Sequence, residues 1–456
     1  MGPRVLSVLA VGLCLAVPAL PAAPASAAPA VPRPTASTTG PDFDGDGRYD
    51  LASAVLPDAG RSGLDVRYGS GATRPPIDEI SDGDQTLVQQ VVAGDLNSDG
   101  YTDLAFVTYT PPSVEQLHLV FGSASGLTTG SMYTVSTPFL SADRALGGLA
   151  FLDSPTPRLA VGVLDEDPGV GGAVALYDLG SDGRPVGDPT FLSAGSAGVP
   201  ALWDADSFGS ILAASGNHLF VGTPGEKVHG HRGAGAVVAL DIDAAGTVSG
   251  RLLTQDSRGV GGVAGSGDGF GSSLAALDGY LAVGVPDDQV GRVRDAGSVN
   301  VFTISAAGLE PLRRISQSTP GVPGGSERGD RFGSAVALGA VCAGVEGVVV
   351  GGPGEDIGRR HRDAGAAWLV PLVRTPGCAA RQLYEGHGLP GRPTSGRGLG
   401  TVVGTVRDAG AAFDDAVLGA FGGSDGEPDG LLDVWSPSSR STVLSVSQAT
   451  RGFAGR

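Results

Sequence analysis

The feature that most restricts this chain is a spacing. Phe208-Gly209, Phe270-Gly271 and Phe332-Gly333 fall 62 residues apart. Each is followed by a Gly-x-Pro triplet, at Gly222-Thr223-Pro224, Gly284-Val285-Pro286 and Gly351-Gly352-Pro353, and then by a Gly with Ala or Ser after it, at Gly235, Gly297 and Gly365. Recurrence at this period signals small structural units, each hiding its apolar faces only against its neighbours. Inside one unit the apolar runs are short, covering residues 270–277, 281–285, 298–304 and 312–316. Gly, Pro or Asp bounds each run, and none has the length or periodicity of a surface helix, so four strands are predicted per unit.

Middle runs such as LAVGV and VVVGG are apolar on both alternating faces, which suits a sheet packed between two other sheets. Second strands starting near Leu51, Leu104, Leu159, Phe220, Leu281, Val348 and Val417 count seven units. Small sheets repeated radially leave only short edges. The expected fold is therefore all-β, a seven-bladed β-propeller of four-stranded antiparallel blades over residues 42–456. The chain holds 76 Gly and 32 Pro, and their regular placement marks strand ends rather than low complexity. Aromatic residues make up only 5%, so the core has to be built mainly of Val, Leu and Ala.

Residues 1–27 read as a secretory signal peptide: Arg4, an apolar run over 5–20, and Ala25-Ser26-Ala27 before a cleavage point near Ala27 or Ala28. The alternative, a single membrane anchor, asks for a longer run, since a span needs roughly 20 apolar residues. Residues 28–41 are a Pro, Ala, Thr and Ser-rich flexible leader. An exported protein without stable membrane insertion is expected. Loss of Cys14 with the leader leaves Cys342 and Cys378, an even count that suggests a disulfide in an oxidising compartment, with two free buried thiols as the alternative. A formal net charge of −18 argues against a nucleic-acid partner, because phosphate binding is driven by Lys and Arg.

Two stretches concentrate acid. DFDGDGRYDLA (42–52) and GDLNSDGYTDLAFV (94–107) both fit D-x-[DN]-x-D-G-x-x-D followed by an apolar strand. The first set is Asp42, Asp44, Asp46 and Asp50; the second is Asp95, Asn97, Asp99 and Asp103. Alternate oxygen-bearing side chains around a glycine turn let one short loop wrap a hard cation. The backbone carbonyls of Arg48 and Tyr101 are expected to add a ligand each, and Ca2+ is the natural ion because it tolerates irregular oxygen cages. An Asp closes each loop at position nine, where the helix-loop-helix calcium hand uses a Glu at twelve.

These loops, followed by Leu-Ala, together with the Phe-Gly and Gly-x-Pro landmarks, resemble the FG-GAP repeat of integrin α-subunit β-propellers. The resemblance spans residue 42 to the C-terminus and is most specific from Phe208 to Trp368. Recurrent segments after the fourth strand (TQDSRGVGG, SQSTPGVPG, SQATRGFAG) look closest to secreted bacterial members. The resemblance implies calcium loops between first and second strands and a non-catalytic binding or adhesion role toward an extracellular protein or glycan. A secreted hydrolase or lyase, or a lectin, is the alternative.

Four further motifs carry less. Asp425, Glu427, Asp429 and Asp433 repeat the acidic spacing, but Pro428 suits a wrapping turn poorly. Arg328-Gly329-Asp330 spells an adhesion tripeptide in a slot that reads SGDG before Phe270, and so is explained by the repeat. Ser424 lies in a G-x-S-x-G pattern without the helix that a nucleophile elbow requires. Lys227, His229, His231, Arg232, Arg292, Arg294, Arg359, Arg360, His361 and Arg362 fall in loops between second and third strands, an expected basic end opposite the acidic loops. Solvated repeat loops and an anion contact are the two readings of it.

Overall fold

Glycine and proline cut the chain into strands too short to fold alone, and they pair in chain order. The computed structural model describes residues 40–447 apart from 59–60, 70–86, 111–113, 141–143, 155, 166–170, 204–206, 278, 306–307, 409, 422–429 and 438–440. The expected signal peptide and all but the end of the leader lie outside the described residues. So do Ser424, Asp425, Glu427 and Asp429.

Unit two pairs Leu87–Gly94, Asp103–Thr110, Val114–Val120 and Met132–Val135 as an antiparallel meander. Unit five repeats this with Ser273–Leu277, Tyr280–Val285, Ser298–Ser305 and Gly308–Ile315, and unit seven with Val402–Val406, Asp415–Phe421, Gly430–Ser436 and Ser441–Ser447. Units three and four are four-stranded in the same way. Unit six pairs Ala335–Cys342, Val345–Gly352, Ala366–Pro371 and Arg381–Glu385, and adds Gly388–Leu389 in parallel outside them. First strands of successive units lie side by side, and the second and third strands supply the apolar layers between sheets. The architecture is an all-β propeller of small antiparallel sheets.

The blade count departs from expectation: among the described residues six blades are present, not seven. Among the described residues unit one contributes only a hairpin, Leu51–Asp58 with Arg61–Arg67. The stretch before it is spent on the acidic loop rather than on an inner strand. The hairpin still fills a sector of the ring. Ala52, Leu64, Val66 and Tyr68 pack on Val91, Leu104 and Phe106 of unit two. On its other side Leu51 packs with Val406, Val417 and Val434 of unit seven. Tyr49 seals that seam, its N–H donating to Asp408 Oδ1 (3.0 Å) and its hydroxyl to Asp415 Oδ2 (3.4 Å).

The repeat landmarks meet at one place, the joint between blades. Phe270-Gly271 precedes the first strand of unit five instead of lying in it, and Phe270 N–H donates to Ala234 O of unit four (2.9 Å). Gly271 has φ +92°, and a Cβ there would stand 2.6 Å from Ala236 O. A Cβ on Gly222 would stand 2.3 Å from Gly271 O, and one on Gly235 2.3 Å from Phe270 O. All three motif glycines thus exist so that two backbones can touch. The same triple recurs as Gly162, Gly172 and Gly209; as Gly284, Gly297 and Gly333; and as Gly351, Gly365 and Gly400, where Leu399 replaces the aromatic ring. Phe208, Phe270, Phe332 and Leu399 are completely buried, each worth about 1.5–3 kcal/mol of burial.

Cys342, ending the first strand of unit six, forms a disulfide with Cys378, beyond the third strand. No helix among the described residues is long and apolar enough to cross a membrane.

Candidate metal centre

The two acidic loops fold alike because matching side chains hold the turn. At position one, Asp42 accepts from the N–H groups of Asp46 (3.1 Å) and Gly47 (3.0 Å), and Asp95 from those of Asp99 (3.0 Å) and Gly100 (2.9 Å). At position three, Asp44 and Asn97 each accept from the position-five N–H, at 3.3 and 3.0 Å. At position five, Asp46 and Asp99 accept from Arg48 and Tyr101 N–H, at 2.8 and 2.9 Å. Gly47 and Gly100 take φ of +84° and +92°, which the wrap requires.

Position nine anchors each loop from below. Asp50 takes the N–H of Phe43 on one oxygen (2.7 Å) and that of Gly69 on the other (2.9 Å). Asp103 does the same with Leu96 (2.9 Å) and Gly122 (2.8 Å). Gly69 and Gly122 each lie 19 residues beyond the acid, just past the strand Arg61–Arg67 or Val114–Val120. Neither glycine stood out as a site residue in the motif reading. Their signal is the matched Tyr68-Gly69 and Phe121-Gly122 pair at equal distance from the loops.

The loops also interlock. Asp42 N–H donates to Thr102 Oγ1 (3.0 Å), Thr102 N–H to Asp42 O (3.0 Å) and Ser123 N–H to Phe43 O (3.1 Å). Asp50 and Asp103 are fully buried, and burial pushes their carboxyls up to about 7 and about 8 against the opposing pull of the backbone N–H groups. Burial likewise raises Asp42 and Asp95.

Oxygen atoms of Asp42, Asp44 and Asp50 lie within 4.8 Å of one another, so the first loop gathers three carboxylates around one point. That donor set, all hard oxygen and largely buried, could hold a metal ion. Asp46 is exposed and faces its own turn. In the second loop the matching third position is Asn97, and Asp99 is exposed. A bound cation would supply the positive charge that keeps these carboxyls ionised; the chain itself supplies the preset turn.

The other motifs resolve differently. Asp330 of the Arg-Gly-Asp tripeptide is 1% exposed, its carboxylate turned inward onto Glu327 N–H, so a receptor has no access to it. Asp433 is buried in the third strand of unit seven. The basic loops are less basic than their sequence suggests. Asp256 meets His229 at 2.7 Å, Asp287 meets Arg331 at 3.1 Å and Asp295 meets Arg328 at 3.8 Å, so acids interleave with the bases at this end of the ring.

Fold and loops together define a class: a propeller of small antiparallel sheets with two interlocked acidic turns at one end. No model of a known protein family matches this chain, and no curated protein matches it.

Proposed function

We propose that this chain is a secreted, calcium-braced propeller of the FG-GAP, integrin-α-like type, counted as seven sequence units, and that it acts as a non-catalytic binding or adhesion module outside the cell. The observation that carries this reading is the identical anchoring of Asp50 and Asp103 beneath two matching oxygen-rich turns. Calcium bound by Asp42, Asp44 and Asp50, with Asp46 and the Arg48 carbonyl closing the cage, braces the hairpin of unit one. Asp95, Asn97, Asp99, Asp103 and the Tyr101 carbonyl do the same for unit two. The ligand, an extracellular protein or glycan, is met by the inter-strand loops at the opposite end of the ring. Terbium luminescence and calorimetry test the metal: two saturable sites, reduced to one by Asp44→Ala, are expected, and no saturable binding overturns the reading. A glycan and matrix-protein array tests the binding role, with capture expected and substrate turnover without capture counting against it.

A further inference from the structure

The junctions on either side of unit five follow one plan and differ in two side chains. After the fourth strands of units four and five the chain turns through Gln255 and Gln317, 2% and 3% exposed. The next unit offers a buried acid from its second-to-third-strand loop, Asp288 or Glu355, and a fourth-strand side chain, Arg314 or Gln382. At the second junction Glu355 accepts from both amides, taking Gln317 Nε2 at 2.7 Å and Gln382 Nε2 at 2.9 Å, and only Gln317 Oε1 is left without a partner. At the first, the acid is one methylene shorter and Arg314 holds it, through Nε at 3.1 Å and through Nη2. Gln255 is left beside Arg314 with both amide atoms buried and no hydrogen-bond partner.

A cleft of about 680 Å³ opens at this junction, between the segment 262–268 and the second-to-third-strand loop of unit five. That is the size of small-ligand sites, about 300–1,000 Å³. Gln255 stands directly behind its wall: a Cβ on exposed Gly262 would lie 2.7 Å from Gln255 Nε2. Asp268, Asp287, Asp288 and Asp295 face Arg294, Arg314 and Arg328 across the cleft, four negative groups against three positive. Such a lining nearly cancels its own charge and offers little apolar wall, which disfavours polyanions and greasy ligands alike. The accessible acceptors are Asp287 and Asp295, partly exposed and steadied by Arg331 at 3.1 Å and Arg328 at 3.8 Å, while Asp268 and Asp288 lie buried beneath them. A hydroxyl group can donate to a carboxylate and accept from a guanidinium or amide at the same time.

We infer that this cleft binds an uncharged saccharide, its hydroxyls bridging the carboxylates of Asp287 and Asp295 and the guanidinium of Arg294. The inference rests on the reading of the chain as an extracellular binding module and makes neutral glycan its ligand class. Calorimetry on the full chain with maltotriose, cellotriose and chitotriose tests it. At least one trisaccharide should bind saturably. Ser266→Trp, on the exposed lip, and Arg294→Ala should each weaken binding by about tenfold or more without lowering the melting temperature. Saturable binding of none of the three, binding of a hexuronate trimer in their place, or full affinity in Ser266→Trp overturns the inference. The terbium titration is read in parallel. Sugar binding that survives with no metal binding defeats the calcium reading alone, and metal binding without sugar binding defeats the cleft alone.

Discussion

Units three to seven and units one and two are joined to their neighbours by different physics. In the larger arc, Gly222, Gly235, Gly271 and their counterparts let one sheet's backbone rest on the next, and a buried Phe or Leu closes the gap. Such a joint needs nothing from solution. In the smaller arc two turns interlock through Asp42, Thr102, Phe43 and Ser123, around carboxylates whose burial resists ionisation. Unit three, whose loop has lost its acids, uses a third device: Arg158, almost fully buried, donates to Asp178 (2.6 Å) and to the carbonyls of Asp243 (2.9 Å) and Ala244 (3.3 Å) of unit four. One repeat period therefore supports a joint made of backbone contact and another built around buried carboxylates.

The largest expected effect breaks the glycine side. Gly271→Ala forces a Cβ against Ala236 O at φ +92° and should cost about 2–5 kcal/mol by strain and overpacking. Equilibrium unfolding checks it, and calcium should not restore the loss. On the acidic side, chelation should lower the melting temperature of the wild type, since an ion at about a hundred times its dissociation constant adds about 2.7 kcal/mol. Asp50→Ala should remove that calcium response at the first loop and cost about 1–3 kcal/mol besides, because Phe43 and Gly69 lose their acceptor.

A smaller effect separates the arcs by pH. Burial, reinforced by Asp330, pushes Glu355 up to about 7 from near 4.5, while Gln317 and Gln382 pull the other way. Between those values the folded chain holds a proton that the unfolded chain has released, so this contribution favours folding at low pH and is lost as pH rises through about 7. Asp268 and Asp330, each raised to about 6 by burial, act with the same sign. Glu355→Gln should flatten the fall in melting temperature between about pH 5 and 8, with calcium held saturating throughout. The smallest effect is a control: Arg359→Glu with Arg360→Glu, both exposed, should change stability by no more than about 0.5 kcal/mol.

Much of the larger arc was legible beforehand. Alternating apolar runs bounded by Gly and Pro placed the strands of unit five to within a few residues, because each is short and pinned at both ends. The role of Phe270-Gly271 was not legible: a buried aromatic ahead of small residues reads as strand, and only the backbone contact with unit four shows it to be a fastener. Leu399-Gly400 escaped for a related reason, since the joint demands a large apolar side chain rather than a ring. In the smaller arc the acids announced themselves through spacing, whereas Gly69 and Gly122 act through backbone N–H groups that every residue but proline carries, and their need to be glycine lies in close contacts with Tyr49 O and Thr102 O. The seventh blade was over-counted because a second strand was taken to imply a whole sheet. Charge at the loop end misled in the opposite direction, as Asp287 and Asp295 sit in the same loops as Arg292 and Arg294.

Tyr49 bonds to Asp408 and Asp415 across a separation of 359 and 366 positions. During synthesis the opening hairpin therefore emerges long before its far neighbour exists, and stays exposed on one flank until almost the whole chain has left the ribosome. Closure of this seam has to wait for Asp408 and Asp415, and a chain released short of Asp415 would be left with an open, adhesive end.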